Sequence, residues 1–93
     1  MGDFITLITT IESDGPFGEK TIESEPIYAE IRSIGMQEFY QAKGQDIKVD
    51  IKLVLYANEY QNQDKLKYNN ETYRIVRTYR TGLDKIELVC ARA

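Results

Sequence analysis

Lys65–Arg92, KLKYNNETYRIVRTYRTGLDKIELVCAR, is the stretch whose reading decides the fold. Three runs of strand-forming residues follow one another, separated by short turns, and read as a β-meander. Tyr68-Asn69-Asn70-Glu71 offers a two-residue loop whose Asn residues tolerate the positive φ that a tight hairpin requires. From Thr72 to Arg80 alternation places Tyr73, Ile75, Arg77 and Tyr79 on one face and Arg74, Val76, Thr78 and Arg80 on the other. Thr81-Gly82-Leu83-Asp84 supplies a second turn, with Gly82 free to take positive φ. Ile86, Leu88 and Cys90 then form an apolar row opposite Lys85 and Glu87, and this row is expected to face a core.

Working outward, Ile47–Tyr56 reads as the strongest single strand, with Ile47, Val49, Ile51, Leu53 and Leu55 facing one way and Lys48, Asp50 and Lys52 the other. Val54 and Tyr56 break the polar face, so its far end is expected to be covered. Ile27–Ser33 alternates cleanly, Ile27, Ala29 and Ile31 against Tyr28, Glu30 and Arg32. Phe4–Ile11 has apolar residues at both spacings, but its Ile and Thr content favours a strand. Between these, residues 12–26 (ESDGPFGEKTIESEP) read as a mobile acidic loop with Phe17 as its one aromatic. Met36–Lys43 is made of good helix formers and ends at Gly44, so a short helix is expected, within a loop at about 35–46, its Met36, Phe39, Tyr40 and Lys43 on one stripe. Asn58–Asp64 reads as a polar connection. The sum is a mainly β fold: one domain over residues 1–93, a small antiparallel β-barrel or sandwich of five to six strands with one short helix.

Composition narrows the function. With 93 residues, 42% hydrophobic and 29% charged, the chain has the make-up of an ordinary globular domain. Met1-Gly2-Asp3 has no basic stretch and Thr6 interrupts the apolar run, so neither a secretory leader nor a membrane partner is expected. The chain has no histidine and one cysteine, which removes the commonest general base and any thiolate metal cluster. Cys90 lies in an apolar strand pattern with no histidine to activate it and reads as a core residue. The glycines match no phosphate-binding fingerprint, and the paired acids read as solvated, so no enzyme activity, catalytic residue, metal or cofactor is expected.

Charge is unevenly placed. The first thirty residues carry seven acids against Lys20, a net of −6, while residues 65–93 carry seven bases against three acids, a net of +4. Such halves can neutralise each other within one molecule or pair between molecules head to tail, and a contact of the second kind closes into a ring when the rotation allows. Tyr73, Arg74, Arg77, Tyr79 and Arg80 also suit a single-stranded nucleic-acid groove, but Tyr and Arg are enriched at protein interfaces as well, and the net charge of −3 disfavours phosphate.

Tyr28-Ala29-Glu30-Ile31-Arg32-Ser33-Ile34, the segment Glu38-Phe39-Tyr40-Gln41-Ala42 and the string YRIVRTYRTGLDKIELVC at residues 73–90 resemble the head closure (head–tail joining) proteins of long-tailed bacteriophages. The likeness covers most of the chain from Tyr28 onward and rests on strand patterns, not on active-site motifs. It implies a structural virion protein of a phage or prophage, a small β-barrel that assembles from the host cytoplasm into a ring at the head–tail interface. Its implied partners are copies of itself, the portal and adaptor above, a tail terminator or tail completion protein below, and packaged DNA passing without specific binding. The residues expected to meet a neighbouring subunit or partner are Asp14, Phe17, Glu19, Glu23, Glu25, Met36, Phe39, Tyr40, Arg74, Arg77, Tyr79 and Arg80.

Overall fold

A computed structural model describes residues 2–12, 18–32, 38–42 and 44–92. Among the described residues nine strands and one 3-10 turn follow in order: β1 (Gly2–Glu12), β2 (Glu19–Glu23), β3 (Ile27–Arg32), β4 (Glu38–Ala42), β5 (Gln45–Val49), β6 (Ile51–Tyr56), the turn Ala57–Glu59, β7 (Lys65–Tyr68), β8 (Glu71–Arg80) and β9 (Lys85–Arg92). All pairings are antiparallel. Neighbours run β1-β3-β6-β9-β8-β7, and β7 pairs back onto β1, so six strands close into a barrel. The closing seam sets Leu7 opposite Leu66, both fully buried. Closure gives every strand of the ring a partner on both sides, which removes the free edges of an open sheet.

β1 is long enough to serve three partners. Residues 2–5 pair with β3, residues 6–8 with β7, and residues 8–12 with β2. Ile8 lies opposite both Glu23 and Lys65, which sets β2 and β7 on opposite edges of β1 and β2 in line with β3. The join between β2 and β3 carries one extra residue: Ile5 to Ile8 is a step of three on β1, and Ile27 to Glu23 is a step of four opposite it. Pro26, which has no N–H to offer a ladder, sits in this bulge. Ser24 restores the lost bonds. Its N–H donates to the Leu7 carbonyl at 2.8 Å, and its Oγ accepts from the Leu7 N–H at 3.0 Å while donating to the Glu25 carbonyl.

The core holds Ile5, Leu7, Ala29, Ile51, Leu53, Leu55, Leu66, Tyr73, Ile86, Leu88 and Cys90, with Ala57 and Tyr60 of the β6–β7 connection packed against it. Burial alone pushes the Cys90 thiol up to about 12. Both meander turns form as read: Asn69 and Asn70 take φ of 53° and 64°, and Gly82 takes 90°.

Four expectations are corrected. Residues 38–42 are strand β4, paired across Gly44 with β5, because a helix of two turns is marginal in water while the β4–β5 ladder gives the same backbone its hydrogen-bond partners; among the described residues the only helical segment is Ala57–Glu59. The 12–26 segment contains a strand, β2, and is not a continuous loop. The Ile47–Tyr56 run is interrupted at Asp50, whose N–H donates to the Cys90 carbonyl and whose Oδ2 accepts from the Arg92 N–H at 2.8 Å. Ile51, Leu53 and Leu55 therefore face the core, whereas Val49 is buried outside it where β5 meets β9. Of the two outer residues expected to be covered, Val54 is buried and Tyr56 is exposed. The fourth correction concerns β8 and belongs with the surface it shapes.

Candidate assembly surface

Residues directly opposite each other on paired strands point to the same side, so the registers map the outer wall of the barrel. Phe4 faces Tyr28, and Tyr56 faces Lys85. The next rung runs Gly2, Glu30, Val54, Glu87, Tyr79 across five strands, and the one after it runs Arg32, Lys52, Val89, Arg77. The first rung is aromatic, with the Phe4 and Tyr28 rings edge to face at 5.7 Å and the Lys85 ammonium 5.7 Å from the Tyr56 ring centre. The third rung is cationic around a buried valine.

β8 reaches this wall through a defect. Val76 is an extra residue between Ile75, opposite Cys90, and Arg77, opposite Val89. Strict alternation would keep Tyr73, Arg77 and Tyr79 together; the bulge reverses the second half of the strand. Tyr73 points inward and is 9% exposed, while Arg77 and Tyr79 point outward, the guanidinium stacked 4.4 Å from the ring centre. Arg74, opposite Ala91, is outward, and Arg80, opposite Ile86, is on the inner side at the barrel mouth, donating to the Leu83 carbonyl. The expected surface trio of arginines is therefore split. Asp14, Phe17 and Met36 lie outside the described residues, and of Glu19, Phe39 and Tyr40 only the backbone is described. Glu23 and Glu25 are exposed at the base of the β1–β2 arm.

The backbones of Glu12 and Glu19 are in register on the arm, and Lys65 is in register with Arg74 on the β7–β8 wall. Like charges directly opposite each other, as Lys65 and Arg74 are, cost stability. The β7–β8 wall adds exposed Lys67, while the arm adds Glu23 and exposed Ile11 and Ile22. Glu23 and Lys65 flank Ile8 from opposite sides in one rung, so the base of the acidic arm adjoins the cationic β7–β8 wall within the molecule. Asp64, beside the cations, is held below the usual carboxylate range: burial pushes it up, but the Thr10 N–H at 2.9 Å, the Thr10 hydroxyl, its own N–H and Lys65 outweigh that push.

Sequence reasoning missed one feature entirely. Leu83, at the tip of the β8–β9 turn, is 96% exposed, the most exposed of the large hydrophobic residues among those described. Beside it on the wall, Tyr28, Glu30, Val54, Tyr56 and Lys85 line a cleft of about 130 Å³. A wider, open cleft of about 650 Å³ lies between the 3-10 turn and the β8–β9 turn, where the Ala57 N–H donates to the Asp84 carbonyl. Among the described residues no group of three acids or cysteines stands together as a metal site. Compared with protein-family models the chain matches none, and a search of curated proteins finds no match either.

Proposed function

We propose that this chain is a structural subunit of the head closure, or head–tail connector, type in a long-tailed phage or prophage. It assembles head to tail into a ring below the portal and adaptor, helps retain packaged DNA and presents the docking surface for the tail. The observation that carries the self-association is the exposed cationic β7–β8 wall, with Lys65 in register with Arg74 beside exposed Lys67, together with exposed Glu23 and Glu25 at the base of the arm. The Lys65–Arg74 register is a local cost in the single molecule, and it is relieved when the acids of one copy's arm lie on the β7–β8 wall of the next. Arm and wall are different surfaces, so the contact is heterologous and closes by rotation. The phage assignment itself rests on the strand-pattern resemblance from Tyr28 onward. The acidic arm gives passing DNA no phosphate grip, as a channel protein requires.

Light scattering of the protein alone and with a portal–adaptor complex tests this reading. The expected result is a ring-sized mass on the complex, weakening with salt as surface charge is screened. Failure both to self-associate and to bind the complex overturns it. A monomeric barrel that holds single-stranded nucleic acid is the competing outcome. That reading keeps Tyr79 but loses Tyr73 as a stacking platform, and steep salt-dependent binding of an oligonucleotide at low salt would favour it.

A further inference from the structure

We infer that the cleft between Tyr28 and Tyr56 receives one arginine side chain from a partner protein, its guanidinium stacked on the tyrosine rings and paired with Glu30. This names the chemistry of one contact, goes beyond the assembly reading above and stands without it.

Among the described residues three tyrosines are exposed, Tyr28, Tyr56 and Tyr79. Two of them already hold a cation of this chain: Arg77 lies 4.4 Å from the Tyr79 ring centre and the Lys85 ammonium 5.7 Å from that of Tyr56. Tyr28 holds none among the described residues. Its ring is supported from the β1 side, where it meets Phe4 edge to face and where a Cβ at Gly2 would collide with its hydroxyl end; the glycine lets the ring lie close over β1. On the β6 side the ring lines the cleft, together with buried Val54 and Tyr56.

Size and charge select the occupant. The cleft measures about 130 Å³, below the roughly 300–1,000 Å³ of pockets that take whole small molecules, so it has room for one side chain. Glu30, two residues along β3 from Tyr28, also lines it and is exposed, with no ion pair among the described residues. A planar guanidinium can stack on an aromatic face and still offer N–H donors to a carboxylate, which the compact, strongly hydrated ammonium of lysine does less well. Arg77 on Tyr79 shows the stacking half of that arrangement on the same wall.

The arginine is foreign because the chain's own five are committed elsewhere. Arg77 is stacked on Tyr79, Arg80 donates to the Leu83 carbonyl, and Arg92 is paired with Glu71 at 3.0 Å. Arg74 and Arg32 stand on strands directly opposite another cation, Lys65 and Lys52. Docking either of them from a second copy would bring that neighbour up against Lys85, like charge on like.

The test titrates a capped Gly-Arg-Gly peptide into the protein at millimolar concentration and follows backbone amide shifts by NMR, with Gly-Lys-Gly and Gly-citrulline-Gly as controls at constant ionic strength. The expected result is saturable shifts at Glu30, Val54 and Tyr56, with the arginine peptide bound at least about fivefold tighter than either control. Glu30→Gln and Tyr28→Ala should each weaken it about fivefold or more, while Tyr79→Ala leaves it unchanged. No saturable shift at the cleft, equal binding of the arginine and citrulline peptides, or shifts centred on Glu23 and Glu25 instead overturns the inference. Self-association that light scattering shows to be abolished by Glu30→Gln would make a second copy the occupant and overturn the assignment to a foreign protein.

Discussion

Tyr73 and Tyr79 lie six residues apart on one strand and yet stand on opposite sides of the barrel wall, because Val76 is unpaired between them. An even separation on a regular strand would put them on one side.

The two tyrosines should therefore respond differently to truncation. Tyr73→Ala empties a core position and is expected to cost about 3–5 kcal/mol, whereas Tyr79→Ala should stay within about 1 kcal/mol. Urea unfolding of both variants measures this. Equal losses would show that the bulge does not reverse the strand.

Ser24→Ala should be costlier than an exposed serine usually is. It removes the acceptor of the buried Leu7 N–H at the β2–β3 bulge, and an orphaned buried donor costs about 1–3 kcal/mol. Thermal unfolding of the variant reads the loss; an unchanged midpoint would mean the bulge holds without that bond.

Cys90 should be silent to thiol reagents at neutral and mildly alkaline pH while the protein is folded, and react once urea unfolds it. The sign of its pH dependence follows from burial. Its folded pKa, about 12, lies above the ordinary value of 9.0, so its contribution to stability is complete below about pH 9 and is lost as pH climbs toward 12. Cys90→Ala should flatten that alkaline loss; an identical alkaline profile would place the cause elsewhere.

Asp64 works in the opposite direction. Its folded pKa is depressed, so the bond from Thr10 stabilises the protein above the ordinary carboxylate pKa and fades as pH falls through the folded value. The difference in urea midpoint between the native chain and Asp64→Asn should be largest near neutrality and shrink in acid. A difference that does not vary with pH would assign the effect to shape and not to charge.

Charge exchange tests the arm-on-wall contact. Glu19→Lys with Glu23→Lys, or Lys65→Glu with Arg74→Glu, should each abolish self-association without changing the circular dichroism, and mixing the two reversed proteins should restore it. Mixed proteins that stay apart would remove the electrostatic basis of the ring.

The apolar rows made much of this legible beforehand. Ile86, Leu88 and Cys90 on β9 could face only one way, and Asn69-Asn70 and Gly82 marked turns by the φ values they tolerate. β8 was opaque because Tyr and Arg sit comfortably on either side of a sheet, so no row of apolar residues pinned the alternation past Ile75. Residues 38–42 carried helix-forming side chains, and the pairing that overrode them lies in β5, beyond any local window. β2 was hidden among acids, with Thr21 and Ile22 as its only strand signal. Of the candidate surface, the opposed charges were visible in composition. The cleft between Tyr28 and Tyr56 was not, since Tyr28, Val54 and Tyr56 come from two strands and become neighbours only through register. Leu83 was readable: a leucine beside the glycine of a tight turn has nowhere on its own chain to be buried.

The neighbour order around the barrel has a consequence for how the protein is made. Of the described strands, β9 leaves the ribosome last, yet it is inserted between β6 and β8, which emerged earlier. Until β9 emerges the barrel cannot close, and Leu53 and Leu55 on β6 and Tyr73 on β8 lack the strand that joins them; its insertion between two strands made earlier is a long-range step of the kind that slows folding.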